Sequence, residues 1–365
     1  IGIHAPATGA GAPAPSFDMG KAVYTNFLNS KGGINGRKVT IFFEDDGYNP
    51  SSAVAACKKL VEQDKVFLLI GGGGTDQIVA CAQYASSIGV PYLAEGVTEK
   101  GLSNLTNYFA ESLTYKAQGA LLAQYIAHTL GKKDVAMVRG DTANFDDAHT
   151  GFVTAAQQLG LNIKSDIRTN KDGNTASTDA GTVCSAIGGP TGSGNAVVYP
   201  LMSPKAFINF ASAAAQQQCF PRYAGIGITL GLNIVAQTLC QGGAASPFKG
   251  GASFFSPYPG LDKADAVDAD YQKQYAAQNN GRAGDDIGLG LWGAEKLLAA
   301  ELAAPGKDLS RQSFLAALPG KTFDTGLYPK ITYASSRFGG TATHVLIANC
   351  QKGAYDTEAL NKSGF

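Results

Sequence analysis

The chain alternates short apolar runs with longer stretches in which apolar positions recur every three or four residues. Residues 39–45 (VTIFFED) read as a strand. Asn49-Pro50 then opens a helix, with Asn as the cap and Pro at the first helical position, where no N–H is needed. Val54, Cys57 and Val61 fall on one face of it. Residues 66–70 (VFLLI) form an unbroken apolar run, the mark of a strand covered on both faces in a parallel sheet. A Gly-rich turn leads into a helix over 75–88, and 90–93 is the next short strand. The rhythm resumes with a helix over 115–130 stopped at Gly131, a strand at 135–138 (VAMV) and a helix over 146–159 ended by Gly160. A strand at 196–199 (AVVY) precedes Ser203-Pro204, the same cap-plus-Pro opening, with Phe207 and Phe210 facing inward; 223–226 is a further short strand. Repeated strand–helix–strand units imply right-handed crossovers and doubly wound sheets with helices on both faces. Residues 171–174 and 188–195 (GGPTGSGN) read as surface loops. Residues 250–260 (GGASFFSPYPG) break the rhythm and read as an extended crossover between two lobes.

Length supports that division, since 365 residues exceed one ordinary domain. Charged residues make up only 16% and glycines number 46, a bias that lets helices lie close on sheets. Lys+Arg and Asp+Glu balance at 29 each, so no basic field exists to attract nucleic acid or an anionic membrane, and neither is expected as a partner. No apolar run approaches the ~18–20 residues of a membrane span. The chain opens at Ile1 without Met or a signal peptide, which reads as a trimmed start and says nothing about export.

No constellation for catalysis is present in the sequence. His4, His128, His149 and His344 are scattered, and there is no nucleophile elbow and no Walker loop. The run Gly71–Thr75 (GGGGT) invites a dinucleotide reading, but G-x-G-x-x-G fails because its last position falls on Asp76 or Gln77. Asp45-Asp46, Asp146-Asp147 and Asp285-Asp286 read as solvated loop charges. No enzyme activity, cofactor or metal site is therefore expected. The six cysteines, Cys57, Cys81, Cys184, Cys219, Cys240 and Cys350, form no CxxC and no metal-ligand spacing. They fit either three disulfides in an oxidising compartment or six buried thiols.

The Gly71–Thr75 turn has a physical use besides tight packing. Glycines let the backbone approach a ligand, the helix start near Thr75 offers free N–H groups, and the Thr hydroxyl adds a donor. A carboxylate suits it better than a pyrophosphate, because no Lys or Arg stands nearby. A second turn, Glu95-Gly96-Val97-Thr98, follows the next strand, and a parallel sheet brings both to one carboxyl edge.

Residues 20–46 (GKAVYTNFLNSKGGINGRKVTIFFEDD) carry a resemblance, continued by NPSSAVAACKKLVEQDKVFLLIGG, IGVPYLAEG, AGIGI and LWGAEKLLAAEL. The ordered set resembles branched-chain amino-acid-type (Leu/Ile/Val-binding-protein-like) periplasmic substrate-binding proteins of ABC transporters. The resemblance implies an α/β type I periplasmic binding protein: two Rossmann-like doubly wound lobes joined by three crossovers, with a ligand in the cleft. Lobe 1 is expected over 1–118 and 251–325, lobe 2 over 119–250 and 326–365. The family's ligand positions carry over to Gly74, Thr75, Gly96 and Thr98 in lobe 1. In lobe 2 they fall on Phe145 and Met202, for which ordinary core packing is the competing reading. The first loop, residues 12–16, normally supplies a further side chain and is short and Pro-rich here.

One departure stands out. Family members that bind amino acids place an acid after the strand equivalent to 223–226, to pair with the ligand ammonium, whereas Gly227-Ile228 stands here. A buried ammonium without a partner is costly, so the ligand is expected to be a carboxylate other than a simple α-amino acid. Glu95, Glu99 or Asp76 would be substitutes for the missing acid. The resemblance also implies a membrane permease as partner, a monomer, an extracytoplasmic location (periplasmic or lipid-anchored) and closure about a hinge. Other readings are a ligand-sensing domain on the same fold and a Rossmann-type nucleotide-dependent enzyme. The fold narrows the fifteen possible cystine pairings. Cys57 and Cys81 lie on consecutive lobe 1 helices, Cys184 and Cys219 end consecutive lobe 2 helices, and Cys240 ends a third, leaving Cys350 in the run that returns to lobe 2. The expected pairs are 57–81, 184–219 and 240–350, none crossing the hinge.

Overall fold

A computed structural model describes residues 1–9, 14–170, 173–334 and 336–365. The chain forms two compact units: Ile1–Thr114 with Pro257–Ala342, and Tyr115–Ser256 with Thr343–Phe365. It passes between them after Thr114, Ser256 and Ala342. In chain order, unit 1 begins with β1 (Gly2–Ala5), β2 (Phe42–Asp45), β3 (Leu69–Gly71), β4 (Tyr92–Ala94) and β5 (Tyr108–Ala110). Unit 2 continues with β6 (Asp134–Gly140), β7 (Asn162–Thr169), β8 (Ala196–Leu201), β9 (Arg222–Gly225) and β10 (Ala252–Ser256). The hairpin β11 (Thr322–Phe323) and β12 (Ile331–Thr332) belongs to unit 1, and β13 (Thr343–Asn349) with β14 (Ala354–Lys362) closes unit 2.

The sheet of unit 1 runs β2-β1-β3-β4-β5 and is parallel throughout. Its order reverses at β1, which opens a crevice at the carboxyl edge between the loops after β1 and β3. The short strands β3 and β4 are buried along their whole length, which is why their sequences show no alternation. The helix Pro50–Glu62 starts as its sequence dictates, with the Asn49 side chain accepting from the Ser51 and Ser52 N–H groups. The sheet of unit 2 runs β14-β13-β10-β9-β8-β6-β7. Strands β6 to β10 are parallel, and β13 and β14 add antiparallel at one side. Ser203 caps the helix Pro204–Gln216 by accepting from the Ala206 N–H. The helix beginning at Tyr115 is α-helical to Gln124 and finishes as a π-helical turn over Tyr125–Thr129.

Several expectations need correction. Residues 250–260 are not simply a crossover: β10 lies inside the sheet, parallel to β9 and antiparallel to β13, because its ASFFS run is buried on both faces. The passage to unit 1 follows at Pro257. Residues 188–195 are not an open loop but two short helical turns, Gly189–Gly192 and Ser193–Asn195. Ser193 is buried there and its hydroxyl accepts from the Phe220 N–H. The unit limits fall at 114, 256 and 342, against the expected 118, 250 and 325. Residues 326–342 stay with unit 1 because Ile331 pairs with Phe323 and the Gly339 N–H donates to the Ala110 carbonyl at the end of β5. Residues 171–172 of the expected loop, and residues 12–13 of the first loop, lie outside the described residues.

Three disulfides join Cys57 to Cys81, Cys184 to Cys219 and Cys240 to Cys350, with Cα atoms 6.2, 6.0 and 4.9 Å apart. They are the pairs that the helix order gives, and each lies within one unit. No helix among the described residues is long and apolar enough to cross a membrane.

The core of unit 1 also holds ionisable groups. The helix Asp286–Ala303 buries Glu295 and Glu301. Glu295 accepts from the Thr25 N–H at 2.9 Å and the Thr25 hydroxyl at 2.6 Å, yet burial pushes its carboxyl up to about 8. Glu301 accepts from the Tyr333 hydroxyl at 2.8 Å and faces Glu111; burial raises both. An acid raised in the folded state keeps a proton that the unfolded chain, with a value near 4.5, has already released. The folded state therefore binds more protons between about 4.5 and 8, and stability falls as pH rises through that window. Melting temperature should be highest near the acid end of this range and several degrees lower at its alkaline end. Glu295→Gln should flatten that decline, since each titrating acid contributes up to ~1.4 kcal/mol per pH unit. Melting curves of both proteins across the window check this, and an unchanged slope would remove Glu295 as a source.

Candidate functional site

Both sheets present a set of loops at the carboxyl ends of their parallel strands. In unit 1, Gly71 of β3 lies opposite Ala94 of β4, and Ala94 opposite Ala110 of β5, so the turns that follow emerge side by side. Gly73 and Gly74 adopt φ of +94° and +84°, a region that disfavours any residue with a Cβ. Gly74 is the cap of the helix Thr75–Ser87, and a Cβ there would strike the Gln77 side chain and lie 3.3 Å from the Tyr48 ring. Thr75, the first helical residue, is 4% exposed, and its hydroxyl has no hydrogen-bond partner. A buried hydroxyl normally finds one. Here it stands beside the first N–H groups of a 13-residue helix, which have no partner within the helix.

The turn after β4 is built differently. The Gly96 N–H donates to the Ser112 hydroxyl at 2.7 Å, and a Cβ at Gly96 would collide with the Ser112 and Leu113 carbonyls. Thr98 is fully buried and its hydroxyl accepts from the Lys100 N–H at 3.1 Å, so it shapes its own turn. Glu95 stands directly after β4, ahead of Gly96. Its Oε1 is buried without a partner, and burial pushes the carboxyl up to about 7. Below the edge, His4 of β1 is fully buried between the Asp46 carboxylate at 2.9 Å and the Tyr92 hydroxyl at 2.6 Å. His4 also lies close to Cys57 and Cys81, but those sulfurs form a cystine and offer no thiolate to a metal.

In unit 2 the expected residues also follow strand ends. Phe145 comes after β6, Met202 after β8, and Gly227 and Ile228 after β9. Phe145 is buried and lies 6.2 Å from the Tyr115 ring, centroid to centroid. Met202 belongs to the hydrophobic core of this unit, with Val138, Phe207 and Leu230. Gly227 has φ of +78°, and its N–H donates to the Gln118 side chain at 3.1 Å. Ile228 begins a short 3-10 turn and is half-buried. The four residues thus share a sheet edge, with Met202 occupied in packing and the Gly227 N–H already taken.

A family model described as periplasmic binding protein matches residues 1–354. The chain belongs to that family. Membership and the three disulfides together point to a location outside the cytoplasm. An amino acid binding protein of Pseudomonas aeruginosa is 30% identical over 144 residues, 38% of each chain. Leu/Ile/Val-binding protein homolog 3 of Brucella melitensis is 27% identical over 167 residues, 44% of each. The match therefore spans about two fifths of the length of these curated relatives. Among solved structures, an ABC transporter solute binding protein from R. palustris in complex with benzoate shares the fold with a TM-score of 0.72 at 18% identity, covering 98% of this chain and 94% of that one. The type I periplasmic binding protein fold and the family read from the sequence are thus both shown.

Sequence reasoning did not single out Tyr48, Gln118, Tyr258 or Tyr328, which surround these loops from distant segments. Tyr48 was within reach of a simple rule: it sits three residues after β2, on the same carboxyl edge. The other three carry no such mark.

Gly96 offers a local check on this geometry. Gly96→Ala forces the turn away from two carbonyl oxygens, at a cost of ~1–3 kcal/mol typical of overpacking. A lower melting temperature is expected, and an unchanged one would show that the turn yields freely.

Proposed function

We propose that the protein is an extracytoplasmic solute-binding protein, periplasmic or lipid-anchored, that delivers a small carboxylate to an ABC-type membrane permease and catalyses nothing. The observation that carries this reading is the buried, unpartnered Thr75 hydroxyl beside a helix start at the switch point of a parallel sheet. A carboxylate would accept from both that hydroxyl and the backbone N–H groups. Gly74, Gly96 and Thr98 shape the same edge, and in unit 2 Phe145 and Ile228 lie at the sheet edge where Gly227 turns and Met202 packs into the core. Ligand that engages both units favours their closed arrangement, and the permease reads that arrangement. The protein acts as a monomer, without nucleic acid or cofactor.

The ligand is not a simple α-amino acid. Gly227 and Ile228 provide no charge for an α-ammonium, and the Gly227 N–H is already used by Gln118. An apolar or aromatic body suits the site, and benzoate on the R. palustris protein of the same fold supports that class.

Two measurements test the reading. Bound ligand raises the melting temperature according to its concentration relative to Kd. A panel of α-amino acids, aromatic acids and aliphatic or keto acids should therefore give its largest shift with a carboxylate that lacks an α-amino group. Leucine at the top of the panel would overturn the ligand class. For the best binder, Thr75→Val should weaken affinity by about tenfold or more, the scale of one lost hydrogen bond to a charged group. Unchanged affinity by calorimetry would take Thr75 out of the site.

A further inference from the structure

Three acids follow β3 and β4 at the carboxyl edge of unit 1, and the structure uses them differently. Glu99 accepts from the Thr114 hydroxyl at 3.0 Å. Asp76 stands in the first turn of the helix Thr75–Ser87, where its charge offsets the N–H groups of the helix start. Glu95 has neither arrangement. Its Oε1 is buried, and no described residue donates to it. Glu295, in the same unit, also keeps one oxygen without a partner, but its other oxygen accepts twice from Thr25, whereas no described residue donates to the Glu95 carboxylate. A bare carboxylate is costly to keep.

The groups facing Glu95 indicate what would relieve it. Tyr48 comes from the loop after β2, Tyr108 from β5, Tyr258 from the segment after the second passage and Tyr328 from the segment between β11 and β12. Burial raises each of these hydroxyls, and the Glu95 charge raises them further. Tyr108 donates to the Glu95 backbone carbonyl at 3.2 Å, not to its carboxylate. The rings of Tyr258 and Tyr328 stack at 6.4 Å. The other charges acting on these four are acids: Asp46 and Asp76 on Tyr48, Glu111 on Tyr108 and Tyr328, Asp285 and Asp286 on Tyr258. No Lys, Arg or His is among them. A carboxylate among tyrosine side chains, in a field of like charge, attracts a cation.

We propose that Glu95 recognises a cationic nitrogen on the ligand, with the surrounding tyrosines as its wall, while the Thr75 turn holds the ligand's carboxylate. The inference rests on the carboxylate reading above and deepens it. It also assigns the role of the missing acid after β9 to a different loop. Both ligand charges are then read by unit 1 alone, so the ligand docks there first. The fitting class is a carboxylate whose ammonium or quaternary nitrogen lies beyond the α-carbon, such as an ω-amino acid or its trimethylammonio analogue.

Calorimetry at pH 8 with matched series tests this: β-alanine, γ-aminobutyrate, ε-aminocaproate and γ-trimethylammoniobutyrate, each against the ω-hydroxy acid and the plain acid of the same chain length. The expected result is a cationic member that binds about tenfold or more tighter than its hydroxy and plain counterparts. Glu95→Gln should bring that ratio toward one. A hydroxy or plain acid that matches every cationic member overturns the role of Glu95 and leaves the carboxylate reading standing. Failure of every carboxylate, here and in the wider panel, overturns the carboxylate reading itself. Melting of the ligand-free protein then judges Glu95 independently. An acid kept bare for a ligand destabilises the free protein once ionised, so Glu95→Gln should raise the melting temperature at pH 8 and leave it unchanged at pH 5. A melting temperature lowered at both pH values would make Glu95 a structural group and end the proposal.

Discussion

Parallel pairing of β1 to β5 is the constraint on which the rest of unit 1 depends. It sends every strand end, and every helix start that follows, to one edge of the sheet. Residues 48, 75, 95 and 112 are far apart in sequence, yet register alone makes them neighbours of that edge. The reversal of strand order at β1 sends the connections on its two sides to opposite faces of the sheet, which makes the edge beside it the switch point. The same logic operates in unit 2, where Phe145, Met202 and Gly227 follow three strands of one parallel set. Site chemistry is thus a consequence of topology, with side chains chosen afterwards.

The polar groups at that edge show how the choice was made. Ser112 and Thr98 have hydroxyls tied to backbone N–H groups, and they hold turns. Thr75 is buried and its hydroxyl bare, and half-buried Glu95 keeps a buried Oε1 that no described residue donates to. An unsatisfied buried polar group costs ~1–3 kcal/mol, more for a charge, so a fold that only had to be stable would remove it. Glu295 is the useful contrast: it is more deeply buried than Glu95 and also raised, but it closes the start of the helix Val23–Ser30 through Thr25, which is reason enough for its presence. No such local reason exists for Thr75 and Glu95. One offers a donor and the other an acceptor, on adjacent loops.

Much of this was legible in the sequence, and the exceptions have a common cause. Buried central strands announce themselves by unbroken apolar runs such as VFLLI and AVVY, and the Asn-Pro and Ser-Pro pairs mark helix starts directly. β7 and β14 leave no such trace. They are the two outermost strands of the unit 2 sheet, half in solvent, and NIKSDIRT alternates charged with apolar residues. The ASFFS run of β10 was visible but resembled a linker, because the Gly and Pro residues around it are also what a passage between units requires. At the site, the glycine turns and Thr75 could be read because conformation and helix position depend on local sequence. That Glu95 is bare while Glu99 is paired could not, because it depends on where Thr114 and four separate tyrosines come to lie.

The disulfides bear on the same division of labour. Each closes a loop inside one unit, and none spans the passages at 114, 256 and 342. Cross-links of this kind stabilise a fold by ~2–4 kcal/mol, chiefly by restricting the unfolded chain. Cys57 and Cys81 join the helix after β2 to the helix after β3, the one that begins at Thr75. The cystine thus fixes the helix whose first N–H groups and Thr75 hydroxyl point to the sheet edge. Together the cystines stiffen each unit separately, and in unit 1 the stiffened part includes the helix start whose Thr75 hydroxyl is left without a partner.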